Sequence, residues 1–354
     1  MEFIQEFTPN QSYEIKTIHD ESQHPELLTP DQTFFLLQIL MFGVTPTISL
    51  LGVVGNIFSI IILKKQGLHK TSNILLVSLA FSDILFLIGF NSVPKLLYEM
   101  SGPVEGFRFE KTDSYVLYLF HHVFNNLDYA SGGTSLTLPM LITFERLVAV
   151  FLPLKFNLII TPARTWAAVF FINVFWYAFF IHLSFYVTLT YAVNKDLNVT
   201  LGLIERSQYH ADNPATVAIL EDAMTYLVMK IPPIVTIVGC VLVGIKVKLA
   251  ASRRLKMTSQ GSKKEKSNRT TKMLLAVCVV YTIACAVLNL PNYIPQYMYY
   301  TMTSDAPSNL GKVMYQVMNI ALCINSSCNF IVYVIMNKNF RRSYKELFTC
   351  HQKQ

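Results

Sequence analysis

The sequence predicts an all-α membrane protein: a seven-transmembrane helix bundle with a short amphipathic cytoplasmic helix after the seventh span. Three observations carry this. The chain is 52% hydrophobic and only 14% charged, with a positive mean hydropathy, whereas a soluble domain carries about 25% charged residues. Apolar stretches long enough to cross a bilayer, roughly 20 residues each, occur over residues 37–63, 73–98, 115–150, 165–190, 217–249, 270–301 and 310–335. Lys and Arg gather in alternate connections (Lys64, Lys65, Lys70, Lys155, Arg164 and a dense run from Lys246 to Lys272), while residues 1–34 are acidic, with Lys16 their only Lys or Arg. That asymmetry places the amino terminus outside and the tail in the cytoplasm. It also accounts for the net charge of +7 without a nucleic-acid partner.

Residues 1–34 lack apolar periodicity and read as a flexible extracellular tail; residues 35–336 form the bundle and 337–354 the cytoplasmic end. No cleavable signal peptide is visible at Met1, so the first span is expected to act as the signal anchor. Asn10 and Asn198 sit in Asn-x-Ser/Thr acceptors on the outer side, whereas Asn268 and Asn325 match the pattern where no glycan can be added. The third, fifth and sixth spans exceed bilayer thickness, so their ends should project into water. The basic, Ser/Thr-containing stretch 250–271 reads either as a solvated inner loop or as a docking and phosphorylation surface. After the seventh span, residues 337–348 alternate apolar and basic side chains at helical spacing. This suits a helix on the inner leaflet, with Cys350 a candidate for palmitoylation.

Several polar residues fall inside the spans: Asn56, Asp83, Ser135, Asn325, Ser326 and Asn329. An isolated polar group is unfavourable in hydrocarbon, so these should face a shared interior. There they act as hydrogen-bond glue between helices or as oxygen ligands for a small hard cation. The charged residues Glu145 and Arg146 end the third span, where ions are functional candidates by default. Asp128 lies eighteen residues earlier, five turns up the same face, and should point into the outer half of the bundle.

The run Glu145-Arg146-Leu147-Val148-Ala149-Val150-Phe151-Leu152-Pro153-Leu154-Lys155-Phe156 resembles the Glu/Asp-Arg-Tyr motif of rhodopsin-like G-protein-coupled receptors, with Leu147 in place of the Tyr. The seventh span's Asn329-Phe330-Ile331-Val332-Tyr333 resembles that family's Asn-Pro-x-x-Tyr, with Phe330 in place of Pro. The sixth span's Leu288-Asn289-Leu290-Pro291 resembles that family's Cys-Trp-x-Pro, with Leu288 and Asn289 in place of Cys and Trp. The resemblance spans all seven segments. It implies that Asp83, Ser135, Asn325, Ser326 and Asn329 form an allosteric Na+ pocket. It also implies that Glu145, Arg146, Pro153, Asn289, Pro291, Asn329 and Tyr333 serve activation. Arg146 would rest against Glu145 and release it as the sixth helix pivots about Pro291, opening a crevice for a heterotrimeric G protein. Receptor kinases and arrestin are the further partners implied.

The same resemblance implies that Asp128 anchors a cationic ligand, with Thr225, Asn292, Tyr293, Gln296 and Asn319 around it. The alternative for Asp128 is a structural acid capped by Tyr129, Asn125 or Asn126. A biogenic amine is disfavoured because Cys323 stands where a Tyr would hold the Asp, and span five offers only Thr225. A neuropeptide suits the Tyr-rich rim and the acidic second outer loop better, with a weaker resemblance to invertebrate FMRFamide-type receptors. A chemosensory receptor is the third reading, since no cysteine lies in an outer loop and His121 replaces the usual staple cysteine. Transporters would want repeated halves or paired broken helices. An enzyme would want a phosphate loop, a metal-spaced cluster or a nucleophile motif. None of these is visible, and no cofactor is expected.

Overall fold

The computed structural model describes residues 27–100, 106–194, 199–257, 276–277, 279–294, 297, 308–336 and 338–349. Asn10, Asn198, Gln296, Cys350 and residues 258–271 of the basic stretch lie outside these. Helices long and apolar enough to cross a membrane are Pro30–Lys65, Thr71–Glu99, Lys111–Phe151, Pro162–Tyr186, Pro214–Ala250 and Asn309–Met336. A shorter apolar helix, Val279–Leu288, stands between the last two and occupies the sixth position, so Asn309–Met336 is span seven. Span three is central, packing against spans two, four and five, while span one packs against spans two and seven.

Span one starts where its cap dictates. The Thr29 hydroxyl accepts from the Gln32 amide N–H, the Gln32 carboxamide oxygen accepts from the Thr29 N–H, and Pro30 takes the first helical position. This reciprocal cap and pre-set φ nucleate a helix, so residues 30–34, read from sequence as tail, are helical. Span four likewise begins at Pro162, with the Thr161 hydroxyl accepting from the Arg164 N–H. Span five carries a π-helical turn at Thr225–Lys230, directly ahead of Pro232 and Pro233. Neither proline has an N–H to donate, and the widened turn accommodates the break.

Two further sequence expectations are corrected. Span four, predicted over 165–190, ends its α-helix at Leu183. After a 3-10 turn, Ser184–Tyr186, the strand β1 (Val187–Asn194) pairs antiparallel with β2 (Val199–Arg206), Val187 opposite Arg206. The Val-Thr-Leu-Thr-Tyr-Ala-Val run has the β-branched, aromatic composition of a strand. The sixth helix does not run through Pro291. It stops at Leu288 and gives way to a 3-10 turn, Leu290–Asn292, because Pro291 cannot donate to the carbonyl four residues back.

The hairpin is held without an outer-loop cysteine. Phe107 and Gly202 exchange two backbone hydrogen bonds of 2.9 Å, and the Ile204 N–H donates to the Tyr98 hydroxyl at 3.1 Å. The fully buried Phe107 ring packs edge-on to Tyr98 (5.1 Å between centroids) and to His121 (6.2 Å). His121 therefore sits under the hairpin as one wall of an aromatic seat. Gly106 makes the turn into this contact with φ +141°, a conformation that glycine adopts readily and other residues rarely do.

At the opposite end, span seven is one unbroken helix and the tail helix Lys338–Thr349 folds back on it. Phe330 is the hub, 5.4 Å from the Tyr344 ring and 6.1 Å from both Phe340 and Phe58. The position where the resembling family keeps Pro here clamps the tail helix. Arg341, Arg342 and Lys345 lie on the tail helix's partly or fully exposed side, and Arg342 pairs with Glu346 at 2.9 Å.

Candidate ligand and transduction sites

Three polar layers run down the bundle. In the outer layer, Asp128 is 4% exposed, but its cation comes from the chain itself: Lys95 Nζ lies 3.1 Å from Asp128 Oδ2, and Lys95 is 5% exposed. The pairing is possible because Gly89 lets span two touch span three. A Cβ there would fall 2.6 Å from the Asp128 backbone nitrogen. The Lys95 ammonium also sits 4.0 Å over the Phe90 ring. Neither Tyr129, Asn125 nor Asn126 caps the carboxylate; the Tyr129 hydroxyl instead meets that of Tyr315 at 3.1 Å. The carboxylate expected to anchor a ligand cation is thus paired with a cation of the chain itself. Sequence reasoning missed Lys95, although a lysine at the outer end of an apolar span was itself a signal.

The other sequence-predicted ligand residues are scattered. Asn319 is buried, one turn beyond Tyr315 on span seven, and Thr225 is half-buried in the π-turn of span five. Asn292 is exposed and Tyr293 is 81% exposed beyond the break in span six, so neither joins the buried layer around Asp128. Tyr315, which the sequence reading did not name, lies beside it and meets the exposed Tyr129 through their hydroxyls.

In the middle layer the structure brings together most of the predicted cation pocket. Asp83, fully buried, accepts from the Ser135 hydroxyl through Oδ1 and from the Asn329 amide through Oδ2 at 2.9 Å. The Ser326 hydroxyl faces the same carboxylate. Asn56 donates to the Ser326 carbonyl at 2.9 Å, tying span one to span seven. Asn325 is buried but, among the described residues, does not bond Asp83. Trp176 is buried against span three, its indole N–H donating to the Thr137 hydroxyl at 3.1 Å.

Just above, Asn289 bridges the broken sixth span. Its side-chain amide donates to its own helix at the Cys285 carbonyl (2.7 Å) and to span five at the Met229 carbonyl (3.2 Å). Met229 lies four residues before Pro233, which has no N–H to offer it in α-helical register.

In the inner layer, Arg146 Nε lies 3.2 Å from Glu145 Oε2. Glu145 is 3% exposed, and its other oxygen accepts from Thr71 (3.1 Å) and Ser72 (2.8 Å) at the start of span two. Two hydroxyls bond one oxygen, while the other, buried and without a hydrogen bond among the described residues, has the guanidinium at ion-pair distance. Tyr333 is buried with its ring 5.6 Å from Phe340. Pro153 is exposed beyond the end of span three, and the next residue, Leu154, is 99% exposed. Among the described residues no cluster of His, Cys, Asp and Glu could hold a transition metal.

This arrangement gives a buried outer layer, a polar middle and an ionic latch at the inner face, which suits transmission between two sides of a membrane. Comparison with known proteins agrees. The chain is 24% identical over 328 residues to galanin receptor 2b of Danio rerio, covering 88% of this chain and 75% of that receptor. It is 26% identical to the FMRFamide receptor of Drosophila melanogaster (85% of this chain, 52% of that one) and 23% identical to the thyrotropin-releasing hormone receptor of Gallus gallus (95% and 85%). Residues 43–351 match the model of the family described as serpentine type 7TM GPCR chemoreceptor Srw. The chain belongs to that family of seven-helix G-protein-coupled receptors, and it is a receptor rather than an enzyme.

Proposed function

We propose that the protein is a plasma-membrane receptor, amino terminus outside, that binds an extracellular neuropeptide and activates a heterotrimeric G protein. The observation that carries the ligand reading is the break after Leu288, which leaves Asn292 and Tyr293 exposed beyond the inward-facing layer of Asp128, Tyr315 and Asn319. A ligand that engages both the rim and the interior must be extended. A peptide meets that requirement, and the galanin, FMRFamide and thyrotropin-releasing hormone receptors are relatives named for peptides.

In this reading the resting state holds Arg146 on Glu145, with Thr71 and Ser72 steadying the acid. Activation releases Arg146, the sixth helix swings outward about the Asn289–Pro291 break, and Tyr333 turns inward. Pro153 and the exposed Leu154 then face the G protein. Asp83, Ser135, Ser326 and Asn329, with Asn325 adjacent, hold an allosteric Na+ in the resting state. Receptor kinases and arrestin act on the basic 250–271 stretch. Asn10 and Asn198 carry glycans, and Cys350 carries palmitate.

A second reading, a chemosensory receptor for small environmental ligands, is favoured by the description of the matching family model. Calcium responses separate the two in cells co-expressing a promiscuous G protein and challenged with pools of amidated peptides, water-borne odorants and biogenic amines. A response to peptides supports the first reading, and a response to odorants alone supports the second. A response to amines overturns both.

A further inference from the structure

The Lys95–Asp128 pair is built like a ligand subsite that already has its ligand. A carboxylate and an aromatic face are what an alkylammonium ion binds. Asp128 supplies the first at 3.1 Å and Phe90 the second at 4.0 Å from the same ammonium. Phe90 is itself buried, at 6% exposure, and stacks on Phe86 with 6.0 Å between centroids. Glu99, one turn beyond Lys95, adds a second negative charge to its surroundings. The Gly89 contact with the span-three backbone fixes the spacing, so the lysine stem need only span the gap between two touching helices.

We propose that Lys95 is the resident occupant of an alkylammonium subsite formed by Asp128 and Phe90. It acts as a specificity element that closes the outer layer to free amines. A tethered group competes at an effective concentration on the order of millimolar or higher. An amine acting at micromolar concentration therefore meets a roughly 10³-fold disadvantage at this carboxylate. The ligand must gain its affinity from groups other than a lone cation, which deepens the peptide reading and rests on the outer layer being the ligand site.

The test is chemical rescue of the full-length receptor. Lys95→Ala removes the propylammonium portion of the side chain and leaves Asp128 in place. Thermal stability of the purified receptor and its surface level in cells are recorded with and without millimolar n-propylammonium, with n-propanol as the uncharged control. Wild type should be unmoved by the amine. Lys95→Ala should be restored saturably by propylammonium and not by propanol, its surface level rising several-fold even where the variant folds poorly alone. The Lys95→Ala, Asp128→Asn double variant should be indifferent. Lys95→Ala unresponsive to the amine in both readouts would overturn the proposal. So would wild type stabilised by micromolar amines in an Asp128-dependent way. Both readouts report occupancy rather than signalling, so a failed peptide-pool assay and a failed rescue are separate results.

Discussion

Phe107→Ala tests whether packing alone holds the outer hairpin in place. Phe107 is fully buried, and its ring touches Tyr98 and His121 while its backbone bridges Gly202. Truncating a buried Phe to Ala costs about 3–5 kcal/mol, part transfer and part cavity. The backbone bridge survives the substitution, so the loss falls on the seat beneath the hairpin and not on the Val187–Arg206 ladder. The right observable is therefore local opening measured by amide hydrogen exchange. At about 1.4 kcal/mol per tenfold, protection at Gly202 and Ile204, whose N–H groups bond Phe107 and Tyr98, should fall by about 10²-fold to several thousand-fold. Phe109→Ala, at a residue 41% exposed, should change it by less than about threefold, as surface truncations stay near 0.5 kcal/mol. Equal protection in the Phe107 and Phe109 variants would refute the idea that this aromatic seat anchors the hairpin.

Three further outcomes follow from the other layers. Glu145→Gln removes the charge that holds Arg146 while keeping acceptors for Thr71 and Ser72. Losing a partly exposed ion pair of about 1 kcal/mol should raise ligand-free nucleotide exchange on a purified G protein about fivefold, and unchanged basal exchange at equal receptor level would count against the latch. Asp83→Asn should abolish any effect of NaCl, relative to the chloride of a large organic cation, on agonist affinity; a sodium effect that persists would place the ion elsewhere. Phe330→Ala should loosen the tail helix. With Phe330 half-buried, the cost should be about 2 kcal/mol, seen as a lower melting temperature and faster proteolysis after Met336; a variant with wild-type melting would mean that Phe340 holds the helix by itself.

The bundle was legible because hydropathy and basic-residue asymmetry are long-range averages that single residues cannot mask. The middle layer was legible because a carboxylate in hydrocarbon needs donors, and Ser135 and Asn329 were the donors on facing spans. The hairpin was legible in principle, through its β-branched run, but that run continues an apolar helix without a proline or glycine to mark the change. Lys95 was missed for another reason. Its meaning depends on the contact at Gly89, which brings two spans together at a level that no one-dimensional pattern encodes. The role of Phe330 was hidden in the same way, since its partners Phe340 and Tyr344 lie on a different helix.

The sixth span shows how a departure from a family pattern can be compensated by neighbouring departures. Pro291 ends the helix by denying a donor to the carbonyl four residues back, and Pro233 does the same in span five at Met229. Met229 faces the sixth helix, and a carbonyl without a donor is costly in hydrocarbon, where no water can satisfy it. An indole has one donor, whereas a carboxamide has two, and Asn289 uses its amide on Cys285 in one helix and Met229 in the other. The residue that replaces the family's aromatic is thus matched to the proline at 233. Because the bridge is made of side-chain hydrogen bonds, and not of backbone ladder, it can be remade in a second geometry without unwinding either span. That is the physical requirement of the pivot proposed for the sixth helix, and a polar side chain rather than an aromatic ring supplies it.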